Sequence, residues 1–409
     1  SICYSSKKIF IQITLLHHQI KRFRENKLNM KKILLLVVGM FALGLDAFVI
    51  SGLLPFISHD LNVSVASAAQ AVTAFTLCYA LSAPIFATLL SGKEIKNILL
   101  LALLVFTCGN ILSALSTSFT LLIFSRCVAG VGAGIYSPLA VASSAALVKP
   151  EQKGTALSLA LGGMSMGVVL GVPLGLLIAT KISWQRTLWL ISVLGIIGMI
   201  AIKLKFPKIT APTPPTLIER VSILRNLKVA VIVAVSFLTA VASLGLYTFI
   251  SLIVTNLNAK YSITEYFWVW GVGGMIGSFT VGKIIDQTRA PRIVMVFILA
   301  LLALSLLTIP LTIKLPIISF IPFLMWGMMG WASQTPQQHA LISVEPRHAS
   351  AAVALNSSIN YLGGAVGTVL GGILLSSKAS ATTLTYLACL VAIIAVIGQG
   401  LIIYYNRNK

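Results

Sequence analysis

The stretch LLIFSRCVAGVGAGIYSPLA, residues 121–140, decides how this chain is read. It is apolar almost throughout, yet Arg126 stands inside it, and a guanidinium stays protonated at any biological pH. Glycines 130, 132 and 134 and Pro138 follow it. A permanent cation in a segment otherwise suited to lipid is costly, so such a group faces a cavity or a partner.

Composition extends that reading to the whole chain. Of 409 residues, 57% are hydrophobic and only 10% charged, whereas a soluble domain carries about 25% charged residues. The mean hydropathy is +0.98. A membrane-spanning helix needs about 20 mostly apolar residues. Such stretches cover 33–57, 67–90, 97–117, 119–147, 155–179, 187–202, 229–254, 262–285, 291–312, 316–342, 349–376 and 381–405. The expected fold is therefore an all-α integral membrane protein with twelve transmembrane helices. The five cysteines show no CxxC spacing and four lie in apolar segments, which points to free thiols rather than a metal site.

Net charge is +21, which in a soluble protein would suggest nucleic acid. Topology explains it instead. With the amino terminus inside, the outer loops carry only Lys181, Arg186, Lys260, Lys314 and Lys378, and apart from Arg126 every other Lys and Arg lies inside. The positive-inside rule thus places both termini in the cytoplasm, in an inner or plasma membrane. Residues 1–29 form a basic amino-terminal extension, and Met30-Lys31-Lys32 before an apolar run looks like a natural start. The proline- and charge-rich segment 203–228 reads as a cytoplasmic linker between six-helix bundles at 30–202 and 229–409.

The halves echo each other. Gly163, Gly167 and Gly171 recur as Gly363, Gly367 and Gly371, a shift of 200, and Gly92-Lys93 recurs as Gly282-Lys283. Each echo is weak alone. Together with the linker they favour two six-helix pseudo-repeats, an organisation in which secondary transporters place a site between repeats.

Asp46 lies roughly 16 Å from the outer end of the first span and Arg126 about 10 Å from that of the fourth, at 1.5 Å per helical residue. Both are expected to point into a central cavity. Desolvation raises a carboxylate's pKa and a nearby cation lowers it, a competition that suits a proton carrier. The competing readings are a structural pair, or an arginine snorkelling to the headgroups. Glycines 163, 167, 171 and 175 share one helix face, and Pro173 should bend that helix. Spacing alone is equally met by ordinary small-residue packing. Gln70, Tyr79, Tyr136, Tyr247, Trp326, Gln334, Asn356 and Asn360 are candidate substrate contacts, though any one of them taken alone reads first as helix–helix hydrogen bonding, or for tryptophan as interface anchoring. Asp286, beside Arg289, ends the eighth span either as a gate or as a solvated loop acid.

Four motifs resemble the major facilitator superfamily over residues 30–405. RCVAGVGAGIYSP resembles its fourth-helix motif. GGMSMGVVLGVPLG, through Gly163, Gly167, Gly171, Pro173 and Gly175, resembles the fifth-helix antiporter motif. GKIIDQTRAPR, through Gly282, Asp286 and Arg289, resembles its signature loop, and FALGLDAFVISGLLP resembles the first helix of efflux members. The nearest type is the twelve-spanning drug:proton antiporter, close to sugar (arabinose) efflux. One departure stands out: the loop after the second span reads SGKEIKNILL, keeping Gly92 and Lys93 but lacking the usual acid.

The resemblance implies export driven by the proton gradient, with no cofactor, Asp46 and Arg126 coupling the proton, and Gly92, Lys93, Gly282, Asp286 and Arg289 gating. The implied partners are a small-molecule substrate such as a drug, sugar or nucleoside, protons and the bilayer, with the chain working as a monomer. The alternatives are proton-coupled uptake, which the fifth-helix motif opposes, and a non-transporting polytopic protein or enzyme. No GxxxxGK[ST], HExxH or GxSxG occurs, so neither ATP-driven work nor a familiar hydrolytic site is expected.

Overall fold

The computed structural model describes residues 32–89, 94–148, 153–208 and 216–407. Hydrocarbon offers no partners for backbone N–H and C=O groups, so spanning segments satisfy them internally as helices. The helices are α1 (Lys32–Asp60), α2 (Val65–Leu89), α3 (Ile95–Ala114), α4 (Phe119–Ala146), α5 (Lys153–Met166), α6 (Val172–Lys181) and α7 (Trp184–Lys205). A short α8 (Leu217–Ser222) precedes α9 (Leu227–Ala240), α10 (Ile250–Asn256), α11 (Ile263–Thr288), α12 (Pro291–Thr312), α13 (Phe320–Ala332), α14 (Gln334–Val344), α15 (Ala349–Ser376) and α16 (Ala381–Arg407). Among the described residues there is no strand.

Among the described residues, eleven helices are long and apolar enough to cross a membrane. The expected tenth span, 316–342, is instead two helices parted at Ser333. The sequence there turns polar at Ser333-Gln334-Thr335, and Pro336 lacks the N–H that a continuous helix would use.

Two other spans carry wider, π-helical turns. Gly167–Gly171 joins α5 to α6, and Val241–Gly245 follows α9. The first lies immediately before Pro173, which stands in the first turn of α6. A wider turn shifts the hydrogen-bond pattern just where proline removes a donor.

Helix ends are set locally. Ser118 Oγ accepts from Leu121 N at the start of α4, and Ser262 with Glu265 forms a capping box on α11. Trp184 Nε1 donates to Asp60 Oδ2 at 2.8 Å, pinning the far end of α1 to the start of α7. In α4, Gly130 and Gly134 abut backbone oxygens of α2 while Gly132 abuts Ala102 and Phe106 of α3. The glycines following Arg126 thus let α4 sink between two neighbours.

The helices before residue 208 pack chiefly on one another, as do those from α9 onward. The broadest contact joining the two groups is α2 against α15, and hydrogen bonds between them lie at mid-span and toward the end away from Lys32. Ser251 Oγ donates to Ser51 O at 2.7 Å, Tyr247 Oη to Phe48 O at 3.4 Å, and Gly372 abuts Gln70. At the opposite end, α8 of the linker carries a Thr216–Glu219 capping box that a proline-rich linker did not suggest. Its Arg220 donates to Ser358 Oγ of α15 at 2.7 Å, and burial pushes that guanidinium down to about 10.

Candidate functional site

α1 brings Asp46 to face α4, where Arg126 Nη1 donates to Asp46 Oδ1 at 2.7 Å. Both side chains are buried, at 0% and 1% exposure. Asn110 of α3 completes the cluster: its Nδ2 donates to Asp46 Oδ2 at 3.2 Å, and its Oδ1 accepts from Arg126 Nη1 at 3.4 Å. The Phe75 ring of α2 lies under the guanidinium, 4.5 Å from its carbon. That face of an aromatic ring is negative and attracts the cation. Arg126 Nε finds no hydrogen-bond partner among the described residues.

The sequence placed Asp46 and Arg126 in a central cavity. The structure buries them among α1, α2, α3 and α4, and neither lines the described cavity between the halves. That cavity begins at Ala47 and Phe48, the neighbours of Asp46 in the chain. Phe48, Tyr247 and Tyr361 supply its aromatic walls, and Ser51, Thr76, Thr248 and Thr368 its hydroxyls. Thr248 Oγ1 and Thr368 Oγ1 share a 2.8 Å hydrogen bond, and Ser51 Oγ is buried without a partner among the described residues. The described lining carries no charge.

The candidate contacts divide. Tyr247 lines the cavity, and Tyr79 stacks on Tyr361 with ring centres 3.9 Å apart. Tyr136 instead bonds Leu36 O, and Trp326 Nε1 donates to Ser243 Oγ at 2.9 Å; both are helix–helix links. Gln70 Nε2 reaches Ala66 O at 3.4 Å. Gln334 and Asn360 exchange two amide hydrogen bonds, at 2.9 and 3.0 Å, across the broken tenth span and α15. Asn356 is fully buried with both polar atoms unpartnered among the described residues.

Gly163, Gly167, Gly171 and Gly175 press on Val37, Phe41, Leu45 and Val49 of α1, with Pro173 buried among them. Of the gate residues, Gly92 and Lys93 lie outside the described residues, as does the side chain of Asp286. Gly282 has open space beside it, and Arg289 caps α11 with φ 51°. Asn110 and Phe75 had no part in the sequence reading. The one available signal was an asparagine inside LLLALLVFTCGNILSAL.

The profile of the Major Facilitator Superfamily matches residues 36–368, and the chain belongs to that family of membrane transporters. It is 27% identical to the MFS-type transporter YbcL of Bacillus subtilis over 93% of this chain and 97% of the relative. It is 27% identical to the inner membrane transport protein YdhP of Escherichia coli over 92% and 96% of the two chains. A chloramphenicol resistance protein of Streptomyces lividans is 28% identical, over 63% of this chain and 67% of that one.

Proposed function

We propose that this transporter is a proton-coupled exporter of small uncharged molecules, working by alternating access with both termini in the cytoplasm. The observation that carries the reading is the buried Asp46–Arg126 pair. An ion pair in hydrocarbon costs several kcal/mol of desolvation per ion, and intramembrane ionisable groups mark coupling sites. Asp46 directly precedes Ala47 and Phe48 of the cavity wall. A change in its charge can therefore reposition the wall through one turn of α1.

Export rather than uptake is supported by the glycine row with Pro173 against α1, and by the Streptomyces relative being named a chloramphenicol resistance protein. The neutral, aromatic and hydroxylated lining suits uncharged amphiphiles, sugars or nucleosides. The contacts between the halves lie away from the termini, so in this reading the outer side is closed.

The test is accumulation in a host lacking its main exporters. Cells expressing the chain should hold less of at least one compound among chloramphenicol, other drugs, sugars and nucleosides. A protonophore and Asp46→Asn should each abolish the difference while protein remains in the membrane. Higher accumulation that the protonophore abolishes would mean uptake. Transport unchanged in Asp46→Asn would remove Asp46 from coupling.

A further inference from the structure

Asn110 holds both members of the ion pair at once, and the reading above gives it no task. Its amide orientation is fixed from two sides. Nδ2 donates to Phe106 O of its own helix at 3.1 Å as well as to Asp46 Oδ2, while Oδ1 accepts from Arg126. The side chain is fully buried, so water cannot substitute for a lost partner at no cost.

We infer that Asn110 is a positioning residue that ties protonation of Asp46 to release of Arg126; this rests on the proton-coupled reading. A proton arriving on Oδ2 turns that oxygen into a donor facing the Nδ2 donor. Flipping the amide offers Oδ1 to the new hydroxyl, but then Nδ2 faces Arg126 Nη1, donor to donor, and the bond to Phe106 O is lost. A proton arriving on Oδ1 faces Arg126 directly, again donor to donor. With the amide held in its observed orientation, Oδ2 is kept as an acceptor and the proton falls to Oδ1, where its hydroxyl displaces Arg126.

Arg126 is the charged group that the structure pairs with Asp46. The other titratable groups on the helices around this cluster are Lys32, His59 and Asp60 at the ends of α1, Cys78 and Tyr79 on α2, Lys96 and Cys108 on α3, and Cys127 and Tyr136 on α4. Tyr136 donates to Leu36 O, Tyr79 stacks on Tyr361, and Cys108 is exposed. The α6 span brings Lys181 in its last turn, α7 has Arg186, Lys203 and Lys205 near its ends, and Tyr247 near α10 reaches Phe48 O. Among the described residues, the hydrogen-bond and ion-pair partners of Asp46 are Asn110 and Arg126, not these groups.

Infrared pH titration of the purified full chain in lipid reads this without a substrate. In the wild type, a carboxylic-acid C=O band that disappears in Asp46→Asn assigns protonated Asp46. A guanidinium band should shift with the same midpoint. Asn110→Leu removes a donor to the charged carboxylate, so the acid band should reach half-height about one pH unit higher, roughly tenfold in proton affinity. The guanidinium shift should no longer track it. If Asn110→Leu does not fold, Asn110→Ala should move the midpoint the same way. A wild-type midpoint in the folded variant, with both bands still moving together, overturns the role of Asn110 alone. A wild-type protein with no band lost in Asp46→Asn overturns proton coupling at Asp46, and this inference with it.

Discussion

The glycine row of the fifth span packs on α1, and the row of α15, 200 positions later, packs on the α9–α10 span at partners also 200 later except the last, which lies one turn further on. Gly163, Gly167 and Gly171 meet Val37, Phe41 and Leu45, while Gly363, Gly367 and Gly371 meet Phe237, Val241 and Phe249. Ser51 and Ser251, also 200 apart, bond each other across the halves. The chemistry is not shared. Leu246 stands 200 after Asp46, and Trp326 stands 200 after Arg126. Where the first half holds an ion pair, the second holds Trp326 donating to Ser243 Oγ. The π-helical turn has also changed sides: it lies in the glycine-bearing helix of the first half and in its partner in the second. Close backbone approach is thus common to both halves, while among the described residues the buried ion pair belongs to the first.

The largest test of that contrast sets Arg126→Ala against Trp326→Ala. Removing the guanidinium leaves a buried carboxylate with no cation and should cost about 3–5 kcal/mol of stability. Removing the indole leaves a cavity and should cost a similar amount, about 3–5 kcal/mol. Their pH dependence separates them. Acid should restore Arg126→Ala, because a protonated carboxyl needs no counter-ion, and should leave Trp326→Ala unchanged. Thermal melts of detergent-solubilised protein across pH read both. Two pH-independent losses would mean that charge does not distinguish the halves.

A smaller effect probes what the halves share. A Cβ on Gly167 would strike Phe41 O, and one on Gly367 would strike Val241 O and the Cα of Gly245. Gly167→Leu and Gly367→Leu should each cost about 1–3 kcal/mol by overpacking. Lower melting temperatures and less monodisperse protein on size exclusion would register it. A silent variant in one half would show that only the other depends on close approach.

The shared features were the legible ones. Length and hydropathy located the spans because lipid imposes them, and the 200-residue glycine echo survives because only glycine allows backbone to touch backbone. Asp46 and Arg126 stood out because charges are rare in hydrocarbon. Which way they point was not legible. Facing a cavity and facing each other give the same sequence, and the answer turned on Asn110, an amide that reads in one dimension as any polar residue in a helix. Tyr136 and Trp326 look like cavity aromatics yet bond helix to helix, while Thr248 and Thr368 look like packing and line the cavity. The π turns leave no fixed residue pattern, and the broken tenth span showed only as polarity near Pro336.

The smallest expected effect lies at the terminal end, where the halves differ again. Glu345 after α14 accepts from Asn226 Nδ2 at 3.3 Å and pairs with His348 Nδ1 at 3.0 Å, which ties α14 to the first turn of α9. Ala145, 200 positions earlier, has no carboxylate to offer. Hydrogen bonds, first from His348 and then from Asn226, hold the Glu345 carboxyl below its usual value. A carboxylate depressed in the folded state adds stability that is fully present above its unfolded pKa, about 4.3, and is lost as pH falls through the lower folded value. Glu345→Gln should therefore lower the melting temperature slightly and evenly from neutral pH down to that range, and then converge with the wild type in acid. The part-exposed setting keeps the difference small, because water and salt screen such pairs. A variant that melts like the wild type at neutral pH would show that the tie contributes nothing, leaving the Asp46–Arg126–Asn110 cluster as the main electrostatic difference between the halves.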